Sequence, residues 1–192
     1  MRRTYILLFV TILSVVLAVG CQGGKTDPVT DNNGFSDSET PYVLYDESGD
    51  GVVYLSEEHP EVIRVKSFVN EFVTEMNTLD FRSIDEDKAM PFLTQSMQEF
   101  TVEQKTWEML FGNLREVEVV SKAEDIQIET AHFQHDLSGV YVLYTSTIRI
   151  LQANEEKLAL TNMTLGENRE RAALHLILED RNWKINGFGK LD

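Results

Sequence analysis

The sequence predicts an α+β domain whose helices lie on one face of a curved, mostly antiparallel sheet. Three observations carry this. Apolar residues recur at helical spacing over residues 60–79, the chain beyond about residue 116 breaks into short runs rich in β-branched and aromatic residues, and clusters of turn-forming residues separate those runs. Helices first and strands afterwards is the order expected when helices gather on one side of a sheet.

Pro60 suits the first turn of a helix, and Val62, Val65, Val69, Phe72, Met76 and Leu79 follow at alternating steps of three and four, with Ile63, Phe68 and Val73 widening the stripe. Residues 80–87 are polar and turn-like, and 88–93 suit a short second helix. Thr94 or Ser96 can cap a third, running through Phe100, Trp107, Leu110 and Phe111 to about Asn113. Strands are predicted over 116–121, 125–134, 139–151, 171–178 and 183–188. Asp136, Leu137, Ser138 and Gly139 make one hairpin connection, and Glu179, Asp180, Arg181 and Asn182 a second.

Two stretches resemble exported bacterial members of the nuclear transport factor two-like family. The first is Asn77, Leu79, Phe81, Ser83, Ile84, then Ala89 to Thr94; the second is Leu176 to Glu179 followed by Asn182 to Phe188. The resemblance covers roughly residues 60–190 and implies a cone, a bent sheet wrapped around helices, in which Trp183 covers the open sheet face. Such a fold hosts isomerases, dehydratases and cyclases as well as members that only bind or scaffold, so it implies no single activity.

Arg2 and Arg3 precede an almost wholly apolar run over residues 5–19, broken only by Thr11 and Ser14. That is a secretory signal layout, and the run is shorter than the ~20 residues of a spanning helix. It ends in Leu17, Ala18, Val19, Gly20 and Cys21, the single cysteine of the chain. Cys21 resembles the invariant cysteine of the bacterial lipobox, although Ala18 stands where leucine is commoner. The resemblance implies cleavage before Cys21, a diacylglyceryl thioether that brings two acyl chains to its sulfur, and a third chain such as palmitate on its amino group. Two chains satisfy the requirement for stable anchoring, since each buried methylene contributes ~0.8 kcal/mol and one chain is marginal. The expected organisation is a signal peptide over 1–20, a lipidated flexible tether over 21–40, a hairpin or calcium-loop-like segment over 41–58, and the α+β domain over 59–192. The expected address is the cell membrane, lipid-anchored on its extracytoplasmic face. With Cys21 acylated, no thiol remains for disulfides or nucleophilic catalysis.

The chain carries 17 basic and 32 acidic side chains, a formal charge of −15, and loss of Arg2 and Arg3 with the signal deepens this to −17. That field disfavours nucleic acid as a partner.

Asp46, Ser48, Asp50, Gly51 and Glu57 stand at positions one, three, five, six and twelve of residues 46–57, with Val52 placed to offer its carbonyl. This is EF-hand spacing and makes Ca2+ a candidate ligand. Tyr54 at position nine and the strand-like flanks 41–45 and 52–55 favour instead a hairpin with an acidic turn. His132, His135 and Asp136 invite a metal reading, but the two imidazoles fall on opposite faces of a strand, and a solvated hairpin end is the simpler reading. For acid and base work the candidates are Asp85, Glu86 and Asp87, or Tyr141, Tyr144 and His175; solvated-turn and packing roles compete with both. Asn162, Met163 and Thr164 form a glycosylation triplet of little meaning in a bacterial lipoprotein.

The expected function is a non-catalytic envelope domain that binds a protein, peptide or small ligand through the concave sheet face. An enzyme with its pocket in the cone and a calcium-responsive surface module are the alternatives. Replacing Cys21 with serine is expected to abolish processing before Cys21 and to release the domain from the membrane fraction. Unchanged processing and retention on fractionation would refute the anchor.

Overall fold

The computed structural model describes residues 40–49 and 51–191. The expected signal peptide, Cys21 and the expected tether up to residue 39 lie outside the described residues, as does Asp50. Two short strands open the described chain, β1 (Tyr42–Tyr45) and β2 (Val52–Tyr54). Helix α1 (Pro60–Asn77) follows, then β3 (Leu79–Asp80), a 3-10 helix (Glu86–Phe92), α2 (Gln95–Glu103) and α3 (Thr106–Glu116). The rest is β4 (Val120–Phe133), β5 (Gly139–Gln152), a single turn α4 (Glu155–Leu158), β6 (Gly166–Glu179) and β7 (Asn182–Leu191). The sheet runs β2-β1-β4-β5-β6-β7, with β3 paired to β4. Every strand pair is antiparallel except β1 with β4, so the α+β class holds and the sheet is mostly antiparallel as expected.

Helix α1 forms where the apolar spacing places it. Pro60 occupies its first turn, His59 Nδ1 accepts from the Glu61 amide, and Val62, Val65, Val69, Phe72, Val73 and Met76 are buried along one stripe. The predicted short helix over 88–93 begins two residues earlier and winds as 3-10, with Asp85 accepting from the Asp87 amide and Pro91 inside. The predicted third helix divides in two. Thr94 caps α2 by accepting from the Met97 amide, but Lys105 turns left-handed at φ 53° and redirects the chain, which buries Trp107 and Phe111 one turn apart on α3.

The strands differ from expectation mainly in length. The runs 116–121 and 125–134 are not separate strands: β4 passes through both, interrupted by a bulge near Asp125, whose φ is 49°. Residue 116 itself belongs to α3, and Glu118 at φ 59° turns the chain toward the sheet. Strand β6 begins five residues before the predicted 171. The β6–β7 turn places Asp180 and Arg181 at φ 51° and 65°, the two-residue geometry that matches strand twist. The turn α4 was not expected.

A large apolar cluster fills the space between helices and sheet. Trp107 stacks on Phe111 and Phe188 at centroid distances of 6.0 and 5.6 Å, and Phe133 meets Trp183 edge-on at 6.4 Å. Trp183 lies inside this cluster with its Nε1 donating to Glu61, so it packs under the helices and not over an open face. Val117, Val119, Ile150 and Leu158 form a second, smaller cluster toward the α4 end. Leu176 is fully buried, whereas Leu160 is 67% exposed. Leu176→Ala is therefore expected to reduce stability by about 2–5 kcal/mol in urea unfolding, and Leu160→Ala to change it by less than about 0.5 kcal/mol.

Candidate functional site

Side-chain alternation on β5 and β6 divides the chemistry of the sheet between its two faces. Val140, Val142, Tyr144 and Ser146 point toward the helices, and so do their partners Leu176, Leu174, Ala172 and Glu170. Tyr141 and His175, opposite one another, point the other way. The trio Tyr141, Tyr144 and His175 is therefore not one site, because positions 141 and 144 differ by an odd number and fall on different faces.

On the outer face a row of aromatic side chains crosses the sheet in register. His132 on β4 is opposite Tyr141, Tyr141 is opposite His175, and His175 is opposite Gly187. Tyr45 joins from β1, its hydroxyl 2.8 Å from His132 Nδ1. The Tyr141 and His175 rings stack at 4.3 Å with 8° between their planes, and Tyr141 remains 42% exposed. Gly187, opposite His175 on β7, adds no side chain, but the bulged residue Asn186 beside it brings its amide nitrogen to 3.5 Å from His175 Nδ1. Partial burial pushes the pKa values of both His132 and His175 down, disfavouring the charged imidazolium.

On the helix side, the polar pair Ser146 and Glu170 interrupts the apolar surface. Ser146 is 2% exposed and its hydroxyl makes no hydrogen bond among the described residues. Burial raises the Glu170 carboxyl above the usual carboxylate range, opposed by the charge of Lys190 across β7. Burial, and then the Glu170 charge, raise the Tyr144 phenol. Neither Ser146 nor Glu170 was singled out from sequence. The signal was available in alternation, since Glu170 shares the parity of Leu174 and Leu176, but it is lost if the strand is started at 171.

The other candidates are dispersed. Asp46 shapes the β1–β2 turn: its Oδ1 accepts from the Ser48 hydroxyl at 2.7 Å and its Oδ2 from the Gly51 amide at 3.1 Å. These bonds hold the Asp46 carboxyl below its usual pKa, the Ser48 bond foremost. A Cβ at position 51 would lie 2.4 Å from Asp46 Oδ2, so a side chain there would displace the Asp46 carboxylate from the turn. Val52 pairs with Tyr45 in the hairpin, and Glu57 turns to Lys66 at 3.0 Å. Among the described residues no group of three or more His, Cys, Asp or Glu is placed to hold a metal ion. His132 binds Tyr45 while His135 and Asp136 sit in the exposed β4–β5 turn, where Asp136 accepts from Ser138. Asp85 caps the 3-10 helix, and Glu86 pairs with Arg115.

Two hollows on the described surface are small. One of about 140 Å³ lies between the 3-10 helix and α3 beside Trp107, and one of about 200 Å³ lies beside Asp80, Ser83 and Lys88. Pockets that enclose drug-sized ligands hold roughly 300–1,000 Å³.

No family model matches the chain, and no curated protein is similar to it. Among solved structures, the intermembrane space region of the chloroplast protein ARC6 aligns with 67% of this chain and 95% of its own length, at 13% identity and a TM-score of 0.45. That likeness is too distant to bear on ligand or partner.

Glu170 has a pH consequence with a definite sign. Its folded pKa lies above the unfolded value near 4.5, so its contribution to stability is fully present below that value and is lost as pH rises through the folded pKa. Glu170→Gln, which mimics the protonated form, is expected to be more stable than the native chain at pH 8 and to lose that advantage at pH 4. Parallel denaturation midpoints at both pH values would contradict it.

Proposed function

We propose that the chain is a lipid-anchored, extracytoplasmic domain of the bacterial cell envelope that binds a protein partner and catalyses no reaction. The observation that carries the binding role is the outer-face row of Tyr45, His132, Tyr141 and His175, with Asn186 of β7 beside His175 at its end. Stacked aromatic rings with polar edges suit recognition, since they offer large contact area with little conformational entropy to lose. The helix-covered face carries Phe72, Trp107, Phe111, Phe133 and Trp183 in the core, and the proposal assigns recognition to the opposite face.

The nuclear transport factor two-like cone belongs to the same proposal. It is supported by helices that precede the strands and pack on one face of a sheet dominated by four successive antiparallel strands. The anchor gives the domain an orientation. Strand β1 enters beside Ala131 and Phe133, near the β4–β5 turn, and Thr40 donates to the Leu55 carbonyl at 2.7 Å where the domain begins. At ~3.3 Å per residue the 14-residue strand β4, shortened by its bulges, carries its other end at most about 45 Å away. The tether therefore attaches at the turn end, and the α4 excursion lies far from it.

A photo-crosslinking residue introduced in place of Tyr141 is expected to capture a discrete envelope protein in intact cells, with far less capture from the same residue at Glu156 on α4. Equal or absent capture at the two positions would remove the outer face as the recognition surface.

A further inference from the structure

The face of the sheet that carries the Tyr141–His175 stack continues along β5 and β6 toward α4, and its chemistry changes on the way. In the unbroken β5–β6 register Leu143 and Ala173 follow the stack, then Thr145 with Arg171, Thr147 with Arg169, and Arg149 with Glu167. These positions keep one parity, so all project from the same face. That face is aromatic at one end, small and neutral in the middle, and cationic at the other.

The cations are not equivalent. Arg149 binds Glu124 at 3.0 Å and Glu167 at 2.7 Å, and Arg171 binds Glu129 at 2.7 Å. Arg169, between Arg171 and Glu167 on β6, is exposed and makes no ion pair or hydrogen bond among the described residues. The nearby carboxylates are already held by the other two arginines, so its guanidinium keeps five donors in a fork that matches a carboxylate. The formal charge of −15 over the chain disfavours a polyanion or an anionic lipid surface at this face. A single carboxylate on an otherwise neutral segment escapes most of that repulsion and still meets Arg169.

We propose that this face docks an extended protein segment carrying an aromatic side chain and a carboxylate about six residues apart, the ring on the Tyr141–His175 stack and the carboxylate on Arg169. His175 and Arg169 are six positions apart on β6, roughly 20 Å at ~3.3 Å per residue, and an extended partner covers that span in as many residues. The inference rests on the outer face being the recognition surface and adds what that surface reads.

The test titrates the full chain, in non-ionic detergent, with an acetylated and amidated peptide that holds phenylalanine and aspartate on either side of a glycine-serine spacer of about five residues. Amide resonances of Tyr141, His175 and Arg169 are expected to shift together, with a dissociation constant on the order of 0.1–1 mM. Asparagine in place of the peptide's aspartate, or Arg169→Glu in the protein, is expected to weaken binding about tenfold or more. Lys105→Glu, the same charge change on the helix side, is expected to alter it less than about twofold. Arg169 is exposed, so its variant keeps the fold. No shift at about 5 mM peptide, undiminished binding of the asparagine peptide, or equal loss in the two protein variants would each overturn the proposal. So would equal displacement of the peptide by glycerol phosphate, which would assign Arg169 to a phosphate headgroup. Crosslinking at Tyr141 separates this inference from the reading it rests on. Capture of one envelope protein to the same extent with and without Arg169→Glu sinks the inference and leaves the outer face as the recognition surface, whereas no capture by the native chain sinks that surface itself.

Discussion

Strands β5 and β6 pair over twelve consecutive positions without a register break, and that continuity governs the rest of the molecule. In an unbroken antiparallel ladder every second residue points to the same face, so one fixed register assigns about two dozen side chains at once. Val140, Val142, Leu174 and Leu176 go to the helices, and the apolar stripe of α1 closes over them. A slip of one residue would exchange core and surface along both strands.

The same parity explains the division of polar chemistry. Tyr141 and Tyr144 are three apart and separate to opposite faces, one beside His175 in the open and one at the edge of the core. Ser146 and Glu170 inherit core-facing positions without core-like side chains. Their perturbed surroundings follow from that placement: burial raises the Glu170 carboxyl and leaves the Ser146 hydroxyl unpaired. The pKa values of His132 and His175 are lowered for the related reason that half-burial disfavours an imidazolium.

Irregular backbone places the elements around this ladder. Lys105 in the left-handed region divides α2 from α3, and Glu118 turns α3 into β4. The bulge at Asp125 bends the long strand β4, the usual effect of an extra residue in one strand. None of these positions is glycine, so their left-handed backbone is disfavoured locally and sustained by packing on either side. For that reason they left little trace in a reading based on propensity.

Sequence by itself determined the α+β class, the extent of α1, the order of helices before strands and both tight turns of the long hairpins, because each depends on local periodicity or turn chemistry. It also exposed the lipobox-like run at Cys21, which is a chemical pattern in the chain and needs no fold to read. The tertiary structure alone decided that β1 lies parallel to β4, that β4 is one bulged strand, that Trp183 is covered by α1, and that Ser146 meets Glu170 between two apolar clusters. Those are relations between residues distant in sequence, set by register and by competition for a shared core, and no local signal encodes them.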